Sequence, residues 1–174
     1  MIVADYIALF LADKGIKHVF SIVGAGNVAI FEAIRKLDKT QIICVHHEQA
    51  AVMAAGGYYR IKQIPGVALL TTGAGSSNAI TGVLAAYMDS IPILVRSGNE
   101  PSDCFGDRTR GDRILGVQGY NSAGVASSMV KWAGRIGDPL DTIAFLTEGW
   151  RMLISSRMGP IWMDIPRNIQ NELI

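Results

Sequence analysis

Three short segments of this chain carry residue types able to do chemistry. Glu48 follows Cys44-Val45-His46-His47 and opens a small, uncharged run over 49–59, so its carboxylate falls at the start of a buried helix. Such a group can exchange a proton with a bound ligand, or it can simply complement the positive end of the helix dipole. Spacing alone leaves both open. The run Thr71-Thr72-Gly73-Ala74-Gly75-Ser76-Ser77-Asn78 gathers hydroxyls, glycines and an amide where another helix begins. It suits either N-capping by Ser76 or Ser77 or a backbone cradle for a phosphate. Gly24-Ala25-Gly26 is the third segment. It is a tight turn, or a place where a ligand meets bare backbone ahead of a helix.

Several familiar chemistries are disfavoured by the same residues. The 71–78 run continues as Ala79-Ile80-Thr81, without the lysine of a phosphate-binding loop, which argues against nucleoside triphosphates. Gly75-Ser76-Ser77-Asn78 lacks the GxSxG elbow of a serine hydrolase. Ala29 stands where a dinucleotide fingerprint needs its third glycine, and Lys39 approaches where a ribose-binding acid belongs. His46 and His47 are adjacent, diverge from a strand end and have no suitably spaced third ligand, so no metal site is assigned. Sixteen Lys and Arg against fifteen Asp and Glu leave a net charge of +1. That balance supplies no field for nucleic acid. Cys44 and Cys104 form no CxxC pair and no disulfide framework, which fits a reducing cytoplasm. The uncharged stretch 63–88 contains Gln63, Pro65, Asn78 and four glycines, and reads as buried protein rather than a membrane span. Asp5 and Asp13 precede any basic residue, unlike a signal peptide.

The elements that must position these segments follow from the apolar pattern. A length of 174 residues, 49% hydrophobic and 18% charged, suits one domain with a sizeable core. Val3, Tyr6, Ile7, Phe10 and Leu11 predict an opening helix that Gly15 ends. Strands are predicted over 18–23, 41–45, 66–72, 92–97, 131–136 and 161–165. Helices are predicted over 28–37, after Glu48, after Gly75, and from Asp138-Pro139 onward, where Ile143, Leu146, Trp150, Leu153 and Ile154 keep helical spacing. The stretch 98–119, with its mixed acids and arginines, reads as a long loop. Trp132, Trp150 and Trp162 fall within the apolar periodicity and read as core. Near-continuous apolar strands alternating with helices define an α/β fold, a three-layer doubly wound domain with a six-stranded mainly parallel sheet covered on both faces. Ligands of such sheets bind at the carboxyl ends of the strands, which is where all three segments lie.

Gly24-Ala25-Gly26, His47-Glu48-Gln49-Ala50-Ala51, Gly57-Tyr58-Tyr59-Arg60 and Gly73-Ala74-Gly75-Ser76-Ser77-Asn78, in that order and spacing, resemble the thiamine diphosphate-dependent enzymes. Ala85-Ala86-Tyr87-Met88-Asp89-Ser90-Ile91-Pro92-Ile93, Gln118, Lys131 and Gly159-Pro160-Ile161-Trp162-Met163-Asp164-Ile165-Pro166 extend the likeness toward the acetolactate synthase-like branch over nearly the whole chain. The resemblance implies that residues 1–174 form the N-terminal pyrimidine-binding domain, with the middle and diphosphate-binding domains absent from this chain. The GDG…N motif of the latter has no counterpart, since Gly106-Asp107-Arg108 and Gly111-Asp112-Arg113 lack its final glycine. Thiamine diphosphate is thus implied to have its diphosphate and Mg²⁺ held by a diphosphate-binding domain, in trans or in a missing remainder of the chain.

The resemblance also implies roles. Glu48 is the catalytic carboxyl, hydrogen-bonded to N1′ of the aminopyrimidine so that the 4′-imino group can take the thiazolium C2 proton. The cofactor then does the hard chemistry on a 2-oxo acid. Val23, Gly24 and Gly26 line the aminopyrimidine pocket, Thr72 and Asn78 form the polar loop beside it, and Gln118 faces the substrate as a second catalytic residue. Val23 and Ala74 stand where the family has prolines, so both turns lose a fixed φ. Gly119 stands where the synthases often carry an acid. Lys131 is either a salt-bridged structural lysine or a ligand contact. Arg108, Arg110 and Arg113 lie on a solvated segment, or reach FAD or an acidic substrate. A homodimer or higher oligomer is implied, with Gly56, Gly57 and the alanines after Glu48 allowing close helix packing, and Met53 and Met88 lining an interface. The same residues allow two other readings: the small subunit of a split 2-oxo acid decarboxylase of the sulfopyruvate or phosphonopyruvate type, and a non-catalytic binding module of this fold.

Overall fold

All six predicted strands are present in the computed structural model, which describes residues 1–104 and 116–174. Arg108, Arg110, Arg113 and the two Gly-Asp-Arg runs lie outside the described residues. The strands are β1 (His18–Ser21), β2 (Gln41–Cys44), β3 (Gly66–Leu70), β4 (Ile93–Asn99), β5 (Trp132–Arg135) and β6 (Ile161–Pro166). They pair in parallel throughout, in the order β2-β1-β3-β4-β6-β5. Before β1 comes α1 (Val3–Asp13); between the strands run α2 (Val28–Leu37), α3 (Glu48–Lys62), α4 (Ala74–Ser77), α5 (Ile80–Met88), α6 (Ser122–Ala126) and α7 (Thr142–Ile154); α8 (Arg167–Gln170) follows β6.

Strand alternation sorts the core into two halves. Val67, Leu69, Leu94, Ile161, Met163 and Ile165 face α1, α2, α7 and α8, meeting Ile7, Leu11, Ile30, Ile34, Leu146, Leu153 and Ile169. Their neighbours Ala68, Leu70, Ile93, Val95 and Trp162 face α3, α5 and α6. Each large side chain buried this way contributes about 1.5–3 kcal/mol. Trp162 is fully buried, and its indole N–H donates to Ser97 Oγ at 2.9 Å. The edge strand β2 departs from the expected cover on both faces: Gln41 and Cys44 are exposed, because among the described residues no strand lies beyond it.

Two local features differ from the sequence reading. The stretch assigned to a long loop is followed by α6, whose five residues are too few to show a period; Asn121 caps it by accepting from the Gly124 amide at 3.0 Å. Lys131 forms no ion pair among the described residues. Its ammonium instead donates to the carbonyls of Met152 and Ser155, capping the C-terminus of α7. That places it before β5, at the opposite edge of the sheet from the strand carboxyl ends. The Asp138-Pro139 signal holds: Asp138 Oδ1 accepts from the Leu140 amide at 2.9 Å at the head of a short 3₁₀ turn leading into α7. No helix among the described residues is long and apolar enough to cross a membrane.

Candidate functional site

The chain leaves β1 for β2 on one side and returns to β3 on the other. Loops following β1 and β3 therefore part at this reversal, leaving a crevice at the strand carboxyl ends. The first loop, residues 22–27, is organised by Asn27. Its Oδ1 accepts from the Gly24 amide at 2.8 Å and its Nδ2 donates to the Ile22 carbonyl at 2.9 Å. An amide side chain closing its own turn thus supplies rigidity that the missing proline would have given. Val23 is 49% exposed at the crevice rim. The Gly26 amide donates to Thr71 Oγ1 at 3.3 Å, and a Cβ on Gly24 would stand 2.3 Å from that same oxygen. The two loops touch here through glycine backbone.

Glu48 is the first residue of α3 and is only 8% exposed. Asn78 Nδ2 donates to its Oε2 at 3.1 Å. Its other oxygen, Oε1, lies 2.8 Å from where a Cβ on Gly75 would be, and Thr71 Cγ2 lies 2.7 Å from that point. A side chain at 75 would fill the space beside the carboxylate. Glu48 therefore occupies a helix first turn and also meets the polar loop across β1. His47 is the N-cap of α3, its Nδ1 accepting from the Gln49 amide at 3.2 Å. Both histidines are exposed. Among the described residues no group of three His, Cys, Asp or Glu is placed to hold a metal ion.

The 71–78 loop turns sharply at Gly73, which has φ 62° and ψ −135°. Only glycine adopts that backbone readily. Gln118 packs on the bare face: a Cβ on Gly73 would lie 2.5 Å from Gln118 Cβ and 3.0 Å from its Oε1. The expected serine cap is absent. Ser76 and Ser77 donate backward, to the carbonyls of Gly73 at 3.1 Å and Ala74 at 3.0 Å, and Ser76 Oγ also meets Tyr120 Oη at 2.9 Å. Helical backbone begins at Ala74, ahead of both serines, so they sit too late to cap. The fold thus brings Gly24, Gly26, Glu48, Thr72, Asn78 and Gln118 to one end of the sheet, with Val23 at the rim.

Beneath the loop lies a buried polar network that sequence reasoning missed. Thr72 Oγ1 donates to Asn99 Oδ1 at 3.2 Å, and Asn99 Nδ2 donates to Asp164 Oδ2 at 2.8 Å. Arg135 Nε reaches the same carboxylate oxygen at 2.7 Å. Burial pushes the Asp164 carboxyl above the ordinary range, while Arg135 and Asn99 oppose that shift. Burial likewise raises the Tyr120 phenol. The available signal was modest: Asn99 and Asp164 are polar residues at or near the carboxyl ends of two otherwise apolar strands.

A carboxylate shielded from water, an amide that orients it and glycine-lined walls can together hold a flat, hydrogen-bonding heterocycle and exchange a proton with it. Comparison with known proteins identifies the family. The family model described as Thiamine pyrophosphate enzyme, N-terminal TPP binding domain, matches residues 1–121. The chain is 33% identical over 168 residues to the acetolactate synthase isozyme 3 large subunit of Escherichia coli (strain K12), which covers 97% of this chain and 28% of that protein. It is 34% identical over 166 residues to the acetolactate synthase large subunit of Buchnera aphidicola subsp. Acyrthosiphon pisum, covering 95% of this chain and 28% of the relative. The chloroplastic acetolactate synthase of Arabidopsis thaliana is 27% identical over 173 residues, covering 98% and 24%. This chain therefore spans about a quarter of the length of such relatives. By its family match, its relatives and the fold that carries the matching segments, the chain belongs to the thiamine pyrophosphate enzymes, as an acetolactate synthase-like N-terminal TPP binding domain.

Proposed function

We propose that the crevice between residues 22–27 and 71–78 holds the aminopyrimidine of thiamine diphosphate, with Glu48 hydrogen-bonded to its N1′. The observation that carries this reading is the Glu48 carboxylate, shielded, steadied by Asn78 and left open on the Gly75 side. Gly24 and Gly26 offer backbone to the ring, Val23 covers its rim, Thr72 and Asn78 form the polar wall, and Gln118 faces the substrate. When bound, the cofactor supplies the electron sink for decarboxylating a 2-oxo acid and passing its acyl carbon to an acceptor. This chain's part is to bind and orient the ring, exclude water around Glu48, and hold or release one proton at its carboxylate.

The diphosphate and Mg²⁺ fall to a diphosphate-binding domain, in trans or in the remainder of a longer polypeptide. Support comes from the chain's 28% share of the Escherichia coli relative's length. The exposed side chains of Met53, Leu84, Tyr87 and Met88 on α3 and α5 support a face that meets a second copy. Two free cysteines suit a cytoplasmic setting.

The test is Glu48→Gln in the chain reconstituted with a diphosphate-binding partner, thiamine diphosphate and Mg²⁺. Loss of a proton-handling carboxyl should slow hydrogen–deuterium exchange at cofactor C2 by about 100-fold or more. Exchange at the wild-type rate would overturn the assignment.

A further inference from the structure

Gln118 is exposed, and its side chain makes no hydrogen bond among the described residues, so its place over Gly73 depends on the backbone that carries it. That backbone is anchored two residues later. The Tyr120 carbonyl accepts from Asn99 Nδ2 at 2.9 Å and from Arg135 Nη2 at 3.1 Å, and the Tyr120 amide reaches Asn99 Oδ1 at 3.4 Å. The other side of the same amide holds the polar loop, accepting from Thr72 Oγ1 at 3.2 Å and from the Glu100 amide at 3.0 Å. Asn99 is fully buried and all its polar atoms are engaged. One side chain therefore ties both halves of the Gln118–Gly73 contact.

Which way this amide faces is decided by its neighbour. An ionised carboxylate only accepts, so Asp164 can meet only the NH₂ end of Asn99, at 2.8 Å and 3.0 Å. The carbonyl end is thereby turned to Thr72. Arg135, paired with Asp164 at 2.7 Å, compensates the buried charge. We propose that Asn99, oriented by Asp164, is a positioning residue that keeps Gln118 and the Thr72 loop in one register, so that the substrate-facing side chain and the cofactor-facing loop move as a unit. The inference rests on reading the crevice as the pyrimidine site.

Amide hydrogen exchange and thiamine diphosphate titration, both followed by NMR on the labelled chain reconstituted with a diphosphate-binding partner and Mg²⁺, test it. In wild type, the ligand should shift the amides of Gly73, Gly75 and Gln118 together. Asn99→Ala should raise exchange at Tyr120, Ser77 and Asn78, whose amides are hydrogen-bonded, by about tenfold while Ala51 and Val52 keep wild-type protection, and should abolish the Gln118 response. Because truncating a buried amide can unfold the chain, N99D/D164N is measured alongside. It exchanges the amide and carboxylate between the two positions, keeping a bond between them while losing the donation to Tyr120, so only the Gln118 side should loosen. A uniform rise in exchange across β4 and β6 with the Gln118 response intact, or wild-type behaviour in both variants, would overturn the proposal. The Glu48→Gln chain separates the two readings. If thiamine diphosphate shifts no crevice amide in wild type or E48Q, the pyrimidine reading fails, while the exchange data still decide whether Asn99 couples the segments.

Discussion

Asn78, in the turn between α4 and α5, donates through Nδ2 to Oε2 of Glu48 at the start of α3, 3.1 Å away. The donor fixes one carboxylate oxygen and leaves the other to a ligand. Hydrogen bonds to a charged group contribute about 1.5–3 kcal/mol. Asn78→Ala should therefore weaken thiamine diphosphate binding by roughly tenfold or more, read by calorimetric titration of the chain with its diphosphate-binding partner. Equal affinity would mean that Glu48 needs no orienting donor.

Gly75→Ala probes the space beside the same carboxylate. Its Cβ would come within 2.8 Å of Glu48 Oε1, the far end of a flexible side chain that can swing away, and 2.7 Å of Thr71 Cγ2, which must give by a few tenths of an ångström. The domain should fold with a melting temperature within about 4 °C of wild type, a change under about 1 kcal/mol. Ligand affinity should fall at least as far as in Asn78→Ala. A large melting shift with affinity retained would place the role of Gly75 in folding instead.

Arg96 is a buried cation within the sheet. It lies on β4 in register with Leu69 and Met163, is 1% exposed, and none of its three guanidinium nitrogens finds a hydrogen-bond partner among the described residues. Burial pushes its pKa well below the ordinary guanidinium range, to about 9. Nothing in the described structure explains why an arginine stands there. From about pH 9 up to the ordinary guanidinium range the unfolded chain holds this proton more often than the folded one, so its contribution to stability rises with pH across that window and the penalty is full below it. Arg96→Met should stabilise the domain at pH 7 by about 1–4 kcal/mol and remove this component of the pH dependence. Urea denaturation at pH 7 and pH 10 checks both; a less stable variant would show that the cation has a partner.

Lys131 caps α7 through two backbone carbonyls, and burial lowers its pKa. Lys131→Met should cost about 1 kcal/mol, the scale of a lost helix-end interaction, while leaving thiamine diphosphate affinity unchanged. Denaturation and titration of one preparation separate this from a ligand contact, for which affinity would fall and stability would not.

Much of the fold was legible because burial imposes a period. Short apolar runs such as 67–70 and 93–95, bounded by Gly or Pro, read as strands covered on both sides, and the helices between them repeat apolar residues every three to four positions. α6 escaped because five residues show no period, and Lys131 because a lone cation does not reveal which carbonyls it will meet. The serine cap failed since position 73, as glycine, accepts a backbone that starts the helix earlier.

The amino-acid sequence by itself determined the six strands, their helices, the family likeness and the residues from which the crevice would be drawn, because each of these depends on local pattern or motif. Tertiary structure alone decided which of them meet. That Glu48 faces Asn78, that Thr71 wedges between Gly24 and Gly75, and that Asn99 and Asp164 support Thr72 and Tyr120 all follow from the β2-β1-β3-β4-β6-β5 order. Strand order brings together segments distant along the chain, and hydrogen-bond partners at such separations leave no periodic trace in one sequence.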